Sequence, residues 1–452
     1  MHLRSLTIIL RALRAVLLLL CGLSLFAFAI DWSARRPKAM PQHLFRILAT
    51  APAFVADTLG NVLGGRFEQS RVPDGFAGQA GFRPLVNRTS RRVEGLVMRR
   101  GPSADLPQSG WRLLYGIFRI DGAPRYGVIA LSPDFAITRV WTISDEALGL
   151  GATDFGQAQF PHGFLLMPDG SVVVAFDGDY HTARIDACGR RIWSSPARIN
   201  HALYAAEDGR TAWGVGEDDL IQQIDLRDGA ILRSISMAAL RAANPGIGAF
   251  DMRRVDDNAL GTNRRDDEGA YYPDGFHLND VEPLPAALAG AFPAFRAGDL
   301  LLSLRSLNLV AVVDPGTLAV KWMSNDRTLR QHDPDWNADG TITVLDNNMG
   351  RRFSRILRFD PRTGRTAVLL DGRAHDFYTR IRGKHQVLPG GGLLVTSAEQ
   401  GRIFELGRDG RIAAEMLVRD PAHPGRNFVI SEARFLPLDT PLMKKEPTCP
   451  DL

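Results

Sequence analysis

The chain has 452 residues, of which 45% are hydrophobic and 23% are charged, so it can bury a large core and is not a disordered chain. Its net charge is only +4, and its arginines are scattered among aspartates instead of forming a basic stripe, which argues against nucleic-acid binding. Cys21, Cys188 and Cys449 make no disulfide framework, although a bridge between Cys188 and Cys449 stays open.

The amino-terminal residues 1–30 predict a membrane segment. An apolar run, AVLLLLCGLSLFAFAI, occupies 15–30 and follows Arg4, Arg11 and Arg14. Counted from residue 6, the segment is long enough to span a bilayer if its arginines reach the cytoplasmic face. The sequence A-F-A near its end also fits a signal-peptide cleavage site. We favour an uncleaved anchor over a cleaved signal, and either way the rest of the chain is expected outside the cytoplasm.

Residues 31–110 are predicted to form a helical and linker region. Apolar residues between Leu44 and Leu59 recur at spacings that fit an amphipathic helix. Such a helix would lie on the membrane or pack on the main domain, and both placements stay open. The segment that follows, up to Gln108, is rich in Arg, Pro and Gly and predicts a loop.

Residues 111–437 predict an all-β six-bladed β-propeller. From Trp111 the sequence consists of short β-rich runs that are separated by D-G and P-D-G turns. One unit lies near 113–142, and five later units each begin with a histidine, namely His162, His201, His277, His332 and His385. A four-stranded blade needs about 40 to 50 residues, which fits this repeat. A strand near 428–436 is predicted to complete the first blade, with a tail at 438–452.

The longest interval between two of these histidines predicts an insertion. It covers 236–276 and contains MAALRAAN, a plausible short helix. The acids and arginines at 251–267 are interpreted as a solvated loop, and no metal site is predicted in the chain.

The repeated histidines predict a funnel at one end of the propeller channel. The first strand of each blade lines the channel, so residues that begin these strands face its mouth. A group of imidazoles together with the guanidinium of Arg355 suits an anionic ligand, because both groups donate charge-assisted hydrogen bonds. The neighbouring Tyr272 is interpreted either as a surface that stacks on an aromatic substrate or as part of the core.

A series of motifs resembles the bacterial arylsulfate sulfotransferase family over about 160–435. The motifs are H-L-N at 277–279, DLLLSLR ending at Arg305, Q-H-D at 331–333, D-N-N at 346–348 with S-R at 354–355, and K-H-Q at 384–386. The resemblance implies a six-bladed propeller that moves a sulfuryl group between phenols without a nucleotide donor. It also implies residue roles. His385 would be the transiently sulfated histidine, while His277, His332 and Arg355 would surround the transferred group, with Asn279, Arg305, Asn347 and Tyr272 binding substrate.

The chemistry of these residue types agrees with that implication. Arg355 and His332 offer positively charged hydrogen-bond donors to the oxygens of a sulfuryl group during its transfer. An imidazole is a good transient acceptor, and His277 is suited to carry the proton of the phenol. The sequence has no G-x-x-x-x-G-K-[ST] loop for a nucleotide, and no cofactor is predicted.

Two other classes of function stay open. One is a non-catalytic propeller that binds an anionic ligand or a protein at the same channel mouth. The other is a quinone-dependent dehydrogenase, which the D-P-x-T turn before Trp322 suggests, although only Trp141, Trp193 and Trp322 lie near predicted blade ends.

Overall fold

The computed structural model describes residues 69–71, 82–85, 92–105, 107–144, 148, 160–177, 182–251, 275–440 and 443. These residues belong to one compact unit, Gly65–Arg253 with Tyr272–Leu452. The predicted membrane segment at 1–30 lies outside the described residues. Within the described ranges, no helix combines the length and the apolar character that crossing a bilayer requires.

Short strands come before the blades: β1 Gln69–Arg71, β2 Arg83–Pro84, β3 Val93–Glu94 and β4 Leu96–Arg100. Blade 1 contains β5 Trp111–Ile120, β6 Ala123–Leu131 and β7 Ile137–Ile143. Blade 2 contains β8 Phe160–Leu166, β9 Val172–Asp177, β10 Ala183–Ile185 and β11 Arg191–Ser194. Blade 3 contains β12 Leu203–Ala205, β13 Thr211–Val215, β14 Ile221–Asp225 and β15 Ile231–Ile235.

Blade 4 contains β16 Leu278–Pro283, β17 Leu300–Leu304, β18 Leu309–Val313 and β19 Val320–Ser324. Blade 5 contains β20 His332–Trp336, β21 Ile342–Asp346, β22 Arg355–Asp360 and β23 Arg365–Asp371. Blade 6 contains β24 Lys384–Val387, β25 Leu393–Ser397, β26 Arg402–Leu406 and β27 Ile412–Val418. The last strands are β28 Arg426–Phe428 and β29 Ile430–Leu436.

The helices of the described residues are short. The α-helices are α1 Met237–Ala243 and α2 Ala286–Ala289. Single 3₁₀ turns cover Glu217–Asp219, Gly248–Asp251, Arg305–Leu307, Gly372–Ala374 and Ala398–Gln400. The helix predicted in the insertion is confirmed as α1, which begins after Ser236, whose Oγ accepts a hydrogen bond from Ala239 N at 3.1 Å.

The six-bladed propeller is confirmed, and its ring is closed by β29. This strand pairs antiparallel with β5 in a register that sets Ala433 opposite Leu114, so blade 1 is built from both ends of the propeller sequence. The innermost strands β8, β12, β16, β20, β24 and β29 each contact the next, and β29 contacts β8. Closure in this way pairs the last described strand of the propeller with the first, so the ring of blades is not left open at its ends. The residues that begin the inner strands therefore meet around one axis.

The blades are stabilised by apolar strands that are covered on both faces. Every residue of β17, LLLSL, and of β18, LVAVV, is buried, because each blade is packed between two neighbours. Tight turns connect these strands. Gly340 has φ +79°, and a Cβ there would approach Ala291 O to 2.4 Å, which explains why the N-A-D-G turn after β20 ends in glycine.

The structure differs from the predicted linker at 93–100. These residues form β3 and β4, and β4 pairs with the outer strand of blade 6, with Arg100 opposite Ala414. The Arg99 guanidinium forms a salt bridge with the fully buried Glu415 carboxylate. β4 has only five residues, and two of them are arginines, so its alternation of apolar and polar residues is too short to be recognised in the sequence.

Candidate active site

Four imidazoles lie together at the heads of neighbouring inner strands. His162 is in β8, and His332 begins β20. His277 directly precedes β16, and His201 lies two residues before β12. The ring centroids of His162 and His201 are 4.5 Å apart, and those of His201 and His277 are 5.2 Å apart. We call these four residues the imidazole cluster. It contains four of the five histidines of the predicted funnel.

A cavity adjoins the imidazole cluster and carries two basic side chains. The cavity is small, with room for about one water molecule, and its lining includes His162, His332, Arg382 and Lys384. The guanidinium of Arg382 lies 3.9 Å from the ring centroid of Phe160, a cation–π contact that orients it. Two cations beside neutral imidazoles suit a ligand with several anionic oxygens.

Three of the four imidazoles favour the neutral form at pH 7. Burial lowers the pKa of His162, His201 and His332 well below the ordinary value. The positive charge of Arg382 lowers the pKa of His162 further, and that of Arg305 does the same for His332. Each of these rings therefore carries a lone pair on one nitrogen instead of a second proton.

The tautomer of His332 follows from its neighbours. Asn347 Nδ2 donates to Thr379 O and to Arg382 O, so Asn347 Oδ1 must be the atom 2.7 Å from His332 Nδ1. An amide oxygen only accepts, and Nδ1 therefore carries the proton. The lone pair is then on Nε2, which accepts a hydrogen bond from Arg382 N at 3.2 Å.

The backbone around this cavity is strained. His277, Asp333 and Arg382 have φ values of +47°, +53° and +59°, in the left-handed region that favours glycine. Each such residue costs about 1–3 kcal/mol, and such residues cluster at active sites and ligand clamps. All three lie at or just before the start of an inner strand, where they aim side chains at the channel.

Below the imidazole cluster, β16 and β20 carry four acidic side chains, two of them buried and two partly buried. They are Asp280, Glu282, Asp333 and Asp335, and we call them the carboxylate cluster. Lys384 Nζ lies 2.9 Å from Asp280 Oδ2 and 2.7 Å from Asp333 Oδ1.

The pKa values of the four acidic residues in the carboxylate cluster are shifted in different directions. Burial raises the pKa of Asp280 to about 7 and raises the pKa of Glu282 and of Asp335 well above the ordinary value. Burial acts on Asp333 in the same direction, but the charge of Lys384 and the hydrogen bond from His385 outweigh it, so the pKa of Asp333 is lowered. Asp333 is thus the member of the cluster held as a carboxylate.

The residues predicted to surround the sulfuryl group lie in three different places. His277 and His332 belong to the imidazole cluster. His385 has a fully buried side chain whose Nδ1 lies 2.8 Å from Asp333 Oδ2, on the side of the carboxylate cluster. Arg355 begins β22, the third strand of blade 5, and its Nε lies 2.9 Å from Asp346 Oδ2. Arg355 is therefore engaged by a carboxylate away from the inner strands.

The structure describes three of the four residues that are predicted to bind substrate. Asn279 lines the cavity, and its Nδ2 donates to Gln331 O at 2.9 Å. Arg305 Nη2 lies 4.0 Å from Met349 Sδ, and the positive charge of Arg305 lowers the pKa of His332. Asn347 Oδ1 accepts a hydrogen bond from His332 Nδ1. Tyr272 lies outside the described residues.

Arg382 and Lys384 line the cavity, although neither was predicted to be a site residue. Their signal is the segment R-G-K at 382–384, which directly precedes His385 and places two basic residues at the head of β24. Cys188 is disulfide-bonded. Both other cysteines lie outside the described residues, so the question whether Cys188 pairs with Cys449 stays open.

Comparison with known proteins identifies the family. The family model for arylsulfotransferase (ASST) matches residues 163–419, which is more than half of the chain. The chain belongs to the arylsulfotransferase family. Membership in the arylsulfotransferase family supports aryl sulfate sulfotransferase activity in general, with small aryl sulfates and phenols as substrates. No curated protein matches the chain.

Several solved structures are similar to the chain at low identity. A protein of unknown function from Bacteroides caccae is 12% identical, with a TM-score of 0.44 over 72% of this chain and 98% of that one. Virginiamycin B lyase from Staphylococcus aureus is 11% identical, with a TM-score of 0.34 over 62% and 84%. Hydrazine synthase from Kuenenia stuttgartiensis is 14% identical, with a TM-score of 0.39 over 65% and 73%. These likenesses carry no conclusion about ligand or activity.

Proposed function

We propose that the protein transfers a sulfuryl group from an aryl sulfate to a phenol through a sulfohistidine, without a nucleotide donor. The observation that carries the proposal is the neutral imidazole of His332, whose Nε2 lone pair borders a cavity with Arg382 and Lys384. In the first step Nε2 forms a bond to sulfur while the bond from sulfur to the aryl oxygen breaks. In the second step a phenol oxygen attacks sulfur and the N–S bond breaks.

The charges around the cavity match the demands of these steps. The sulfuryl oxygens require positive donors, which Arg382 and Lys384 supply. His332 Nε2 gives up its hydrogen bond with Arg382 N as the N–S bond forms. The phenolate leaves with a proton from His277, and the incoming phenol returns one, so the imidazole cluster ends each cycle as it began.

His332 is the better acceptor on electrostatic grounds, although the family resemblance implies His385. His385 is flanked by Asp333 at 2.8 Å and Asp335 at 3.6 Å. An anionic sulfuryl group on His385 would lie against these acids. His332 instead neighbours Arg305 and Lys384, both of which act on it as positive charges.

Peptide mapping separates the two histidines. The protein is mixed with a chromogenic aryl sulfate without an acceptor, quenched and digested with trypsin. His332 is then the single histidine of peptide 331–351, and His385 is the single histidine of peptide 385–402. We expect the mass of one sulfuryl group on 331–351, and its loss in His332→Asn. The exposed His423, changed to Asn, serves as the matched control.

The alternative outcomes are distinct. A sulfuryl group on 385–402 would return the acceptor role to His385. Release of no phenol from any aryl sulfate, together with binding of sulfated ligands, would favour a non-catalytic propeller. Addition of a phenol acceptor must remove the label, because a label that persists is a dead-end adduct and not an intermediate.

The proposed location is outside the cytoplasm, with the amino-terminal segment as the membrane anchor. The support is the apolar run at 15–30 behind three arginines. Amino-terminal sequencing of the mature protein tests the anchor. A mature chain that begins at Ile30 would indicate a cleaved signal instead.

A further inference from the structure

Two polar side chains of the candidate active site have an oxygen without a hydrogen-bond partner. Asn279 and Asp280 both line the small cavity beside the imidazole cluster, and both are buried. Among the described residues, neither Asn279 Oδ1 nor Asp280 Oδ1 has a partner. A buried acceptor without a partner is destabilising, so each oxygen requires a donor in the cavity. The cavity has room for about one water molecule, which can donate to both.

A β-bulge explains why two consecutive residues reach the same cavity. Neighbouring residues of a regular strand point to opposite faces of the sheet. The register of β16 against β17 shifts between Leu278 and Asp280, so Asn279 is the extra residue of a bulge. Bulges occur often beside active sites, where they turn a side chain to a new direction. The bulge in β16 therefore brings both unpartnered oxygens to one place.

A bound aryl sulfate would change what this place requires. An oxygen of a sulfuryl group is similar in size to a water molecule, but it has no hydrogen to donate. Asn279 cannot supply the missing donor, because its Nδ2 already donates to Gln331 O at 2.9 Å. Asp280 can supply it, because Lys384 Nζ binds Asp280 Oδ2 at 2.9 Å and leaves Oδ1 to carry a proton. A protonated carboxyl group donates through one oxygen and accepts through the other.

The charges that line the cavity lead to the same conclusion. Arg382 and Lys384 are cations, and Asp333 is held as a carboxylate. If Asp280 is a carboxylate as well, two positive and two negative charges cancel, and the cavity has no net attraction for an anion. A proton on Asp280 leaves one positive charge, which matches the single negative charge of an aryl sulfate.

The surroundings of Asp280 hold it close to the point at which its charge changes. Burial raises the pKa of Asp280 and Lys384 lowers it, with the result that the pKa is about 7. The titratable groups that interact with Asp280 come from its own strand and from four other inner strands. They are Tyr204 of β12, Glu282 of β16, Asp333 and Asp335 of β20, Lys384 of β24 and Glu432 of β29.

We propose that an aryl sulfate binds in this cavity together with one proton, which Asp280 Oδ1 carries and donates to a sulfuryl oxygen. The inference rests on the proposed function, because it takes the aryl sulfate as the ligand. Binding then raises the pKa of Asp280 further. The affinity is highest where the free protein already carries the proton, and it falls as the pH rises above about 7.

Calorimetry with an unreactive analogue tests this coupling. Benzylsulfonate has the charge of phenyl sulfate, but a methylene group replaces the bridging oxygen, so no sulfuryl transfer occurs. Titration of the full-length protein in two buffers of different ionisation enthalpy gives the number of protons that are taken up. At about pH 8 the wild type should take up about one proton per bound ligand, and its Kd should rise about tenfold for each pH unit above about 7.

Two variants assign the proton to one residue. Asp280→Asn keeps an acceptor for Lys384 and offers a permanent donor, so it should take up no proton and bind equally well below and above neutral pH. The matched control is Asp299→Asn, because Asp299 is also buried and lies 2.7 Å from the ammonium group of Lys321. This control should keep the proton uptake of the wild type. Wild-type protein that binds without proton uptake, or Asp280→Asn protein that still takes up a proton, would overturn the proposal.

Infrared difference spectra of the wild type decide the case if Asp280→Asn does not fold. Ligand binding at about pH 8 should add the carbonyl band of one protonated carboxyl group, and absence of this band contradicts the proposal. Turnover is measured separately. Proton uptake without release of phenol from any aryl sulfate would refute the proposed transfer and leave this inference intact, whereas turnover without proton uptake on binding would refute this inference alone.

Discussion

Asn347 fixes the proton of His332: its Oδ1 lies 2.7 Å from His332 Nδ1, and its Nδ2 is held by two backbone carbonyls. Burial lowers the pKa of His332 well below the ordinary value, and the Asn347 amide, whose hydrogen bond raises this pKa, adds no charge that would cancel the effect of burial. The consequence is an imidazole that keeps its lone pair at pH 7. Asn347 is therefore a positioning residue in the proposed mechanism.

Asn347→Asp is expected to change the pH profile of the reaction. The carboxylate still accepts from Nδ1, but its charge raises the pKa of His332. Because the protonated ring has no lone pair, the acid limb of kcat/KM should move to higher pH, with the largest loss near about pH 6. Steady-state kinetics from acid to neutral pH measure this shift.

Asn347→Leu gives the complementary result. It removes the acceptor, frees the His332 tautomer and is expected to lower kcat by roughly 10²-fold, within the usual range for acid–base groups. A merely structural role for Asn347 would leave the acid limb of Asn347→Asp where the wild type has it.

Arg382 and Arg355 are expected to differ in what they contribute. Arg382 lines the cavity, and Arg382→Gln should lower kcat by about 10²- to 10³-fold, the scale for losing one oxyanion donor. Arg355 is paired with the buried Asp346, and Arg355→Gln should mainly lower the free energy of unfolding. Kinetics and urea unfolding of both variants check the contrast. A larger kinetic defect in Arg355→Gln would restore the role that the family resemblance implies.

The fold could be predicted from the sequence because the pattern that marks one blade recurs along the chain. Each blade presents the same order of inner residue, turn and β-rich run, so five histidines placed five blade starts correctly. The closing strand followed from the need to cover an edge. The strand at Leu96–Arg100 escaped because nothing local distinguishes a strand added to an outer edge from a loop.

Only part of the candidate site could be predicted from the sequence. His277 and His332 were identified from strand position, which determines where a residue lies around the channel. Arg355 and Asp346 are partners across β21 and β22, and a sequence motif does not show that a guanidinium is already engaged. The same limit hid the environment of His385, because Asp333 and Asp335 approach it from the neighbouring blade.

His201 should make stability depend on pH. Burial and the neighbouring imidazoles lower the pKa of His201 well below the ordinary value of about 6.5. Below that pH the unfolded chain binds a proton that the folded chain does not, so the wild type loses stability as the pH falls. His201→Gln lacks this loss.

The difference between the two proteins isolates this effect. The free energy of unfolding of His201→Gln relative to the wild type should rise by about 1.4 kcal/mol for each pH unit below about 6.5. Urea unfolding at several pH values measures it, and the other titrating groups cancel in the difference. A difference that does not vary with pH would contradict a lowered pKa.

The ring closure depends on an ion pair between blades 1 and 6. Arg112 of β5 and Glu405 of β26 form a salt bridge in which both side chains are buried, and the Arg112 guanidinium lies 4.3 Å from the Phe135 ring centroid. Loss of one partner leaves an uncompensated buried charge. Arg112→Met and Glu405→Leu should each lower the free energy of unfolding by about 3–5 kcal/mol.

The double variant removes both charges and should cost clearly less than the two single losses together. A double-mutant cycle by urea unfolding measures the coupling. The exposed pair Arg92 and Asp121, whose atoms lie 3.0 Å apart, is the control, and its coupling should stay within about 1 kcal/mol. Additive losses for Arg112 and Glu405 would show that the pair does not act across the blade junction, because two charges that compensate each other cannot be removed independently.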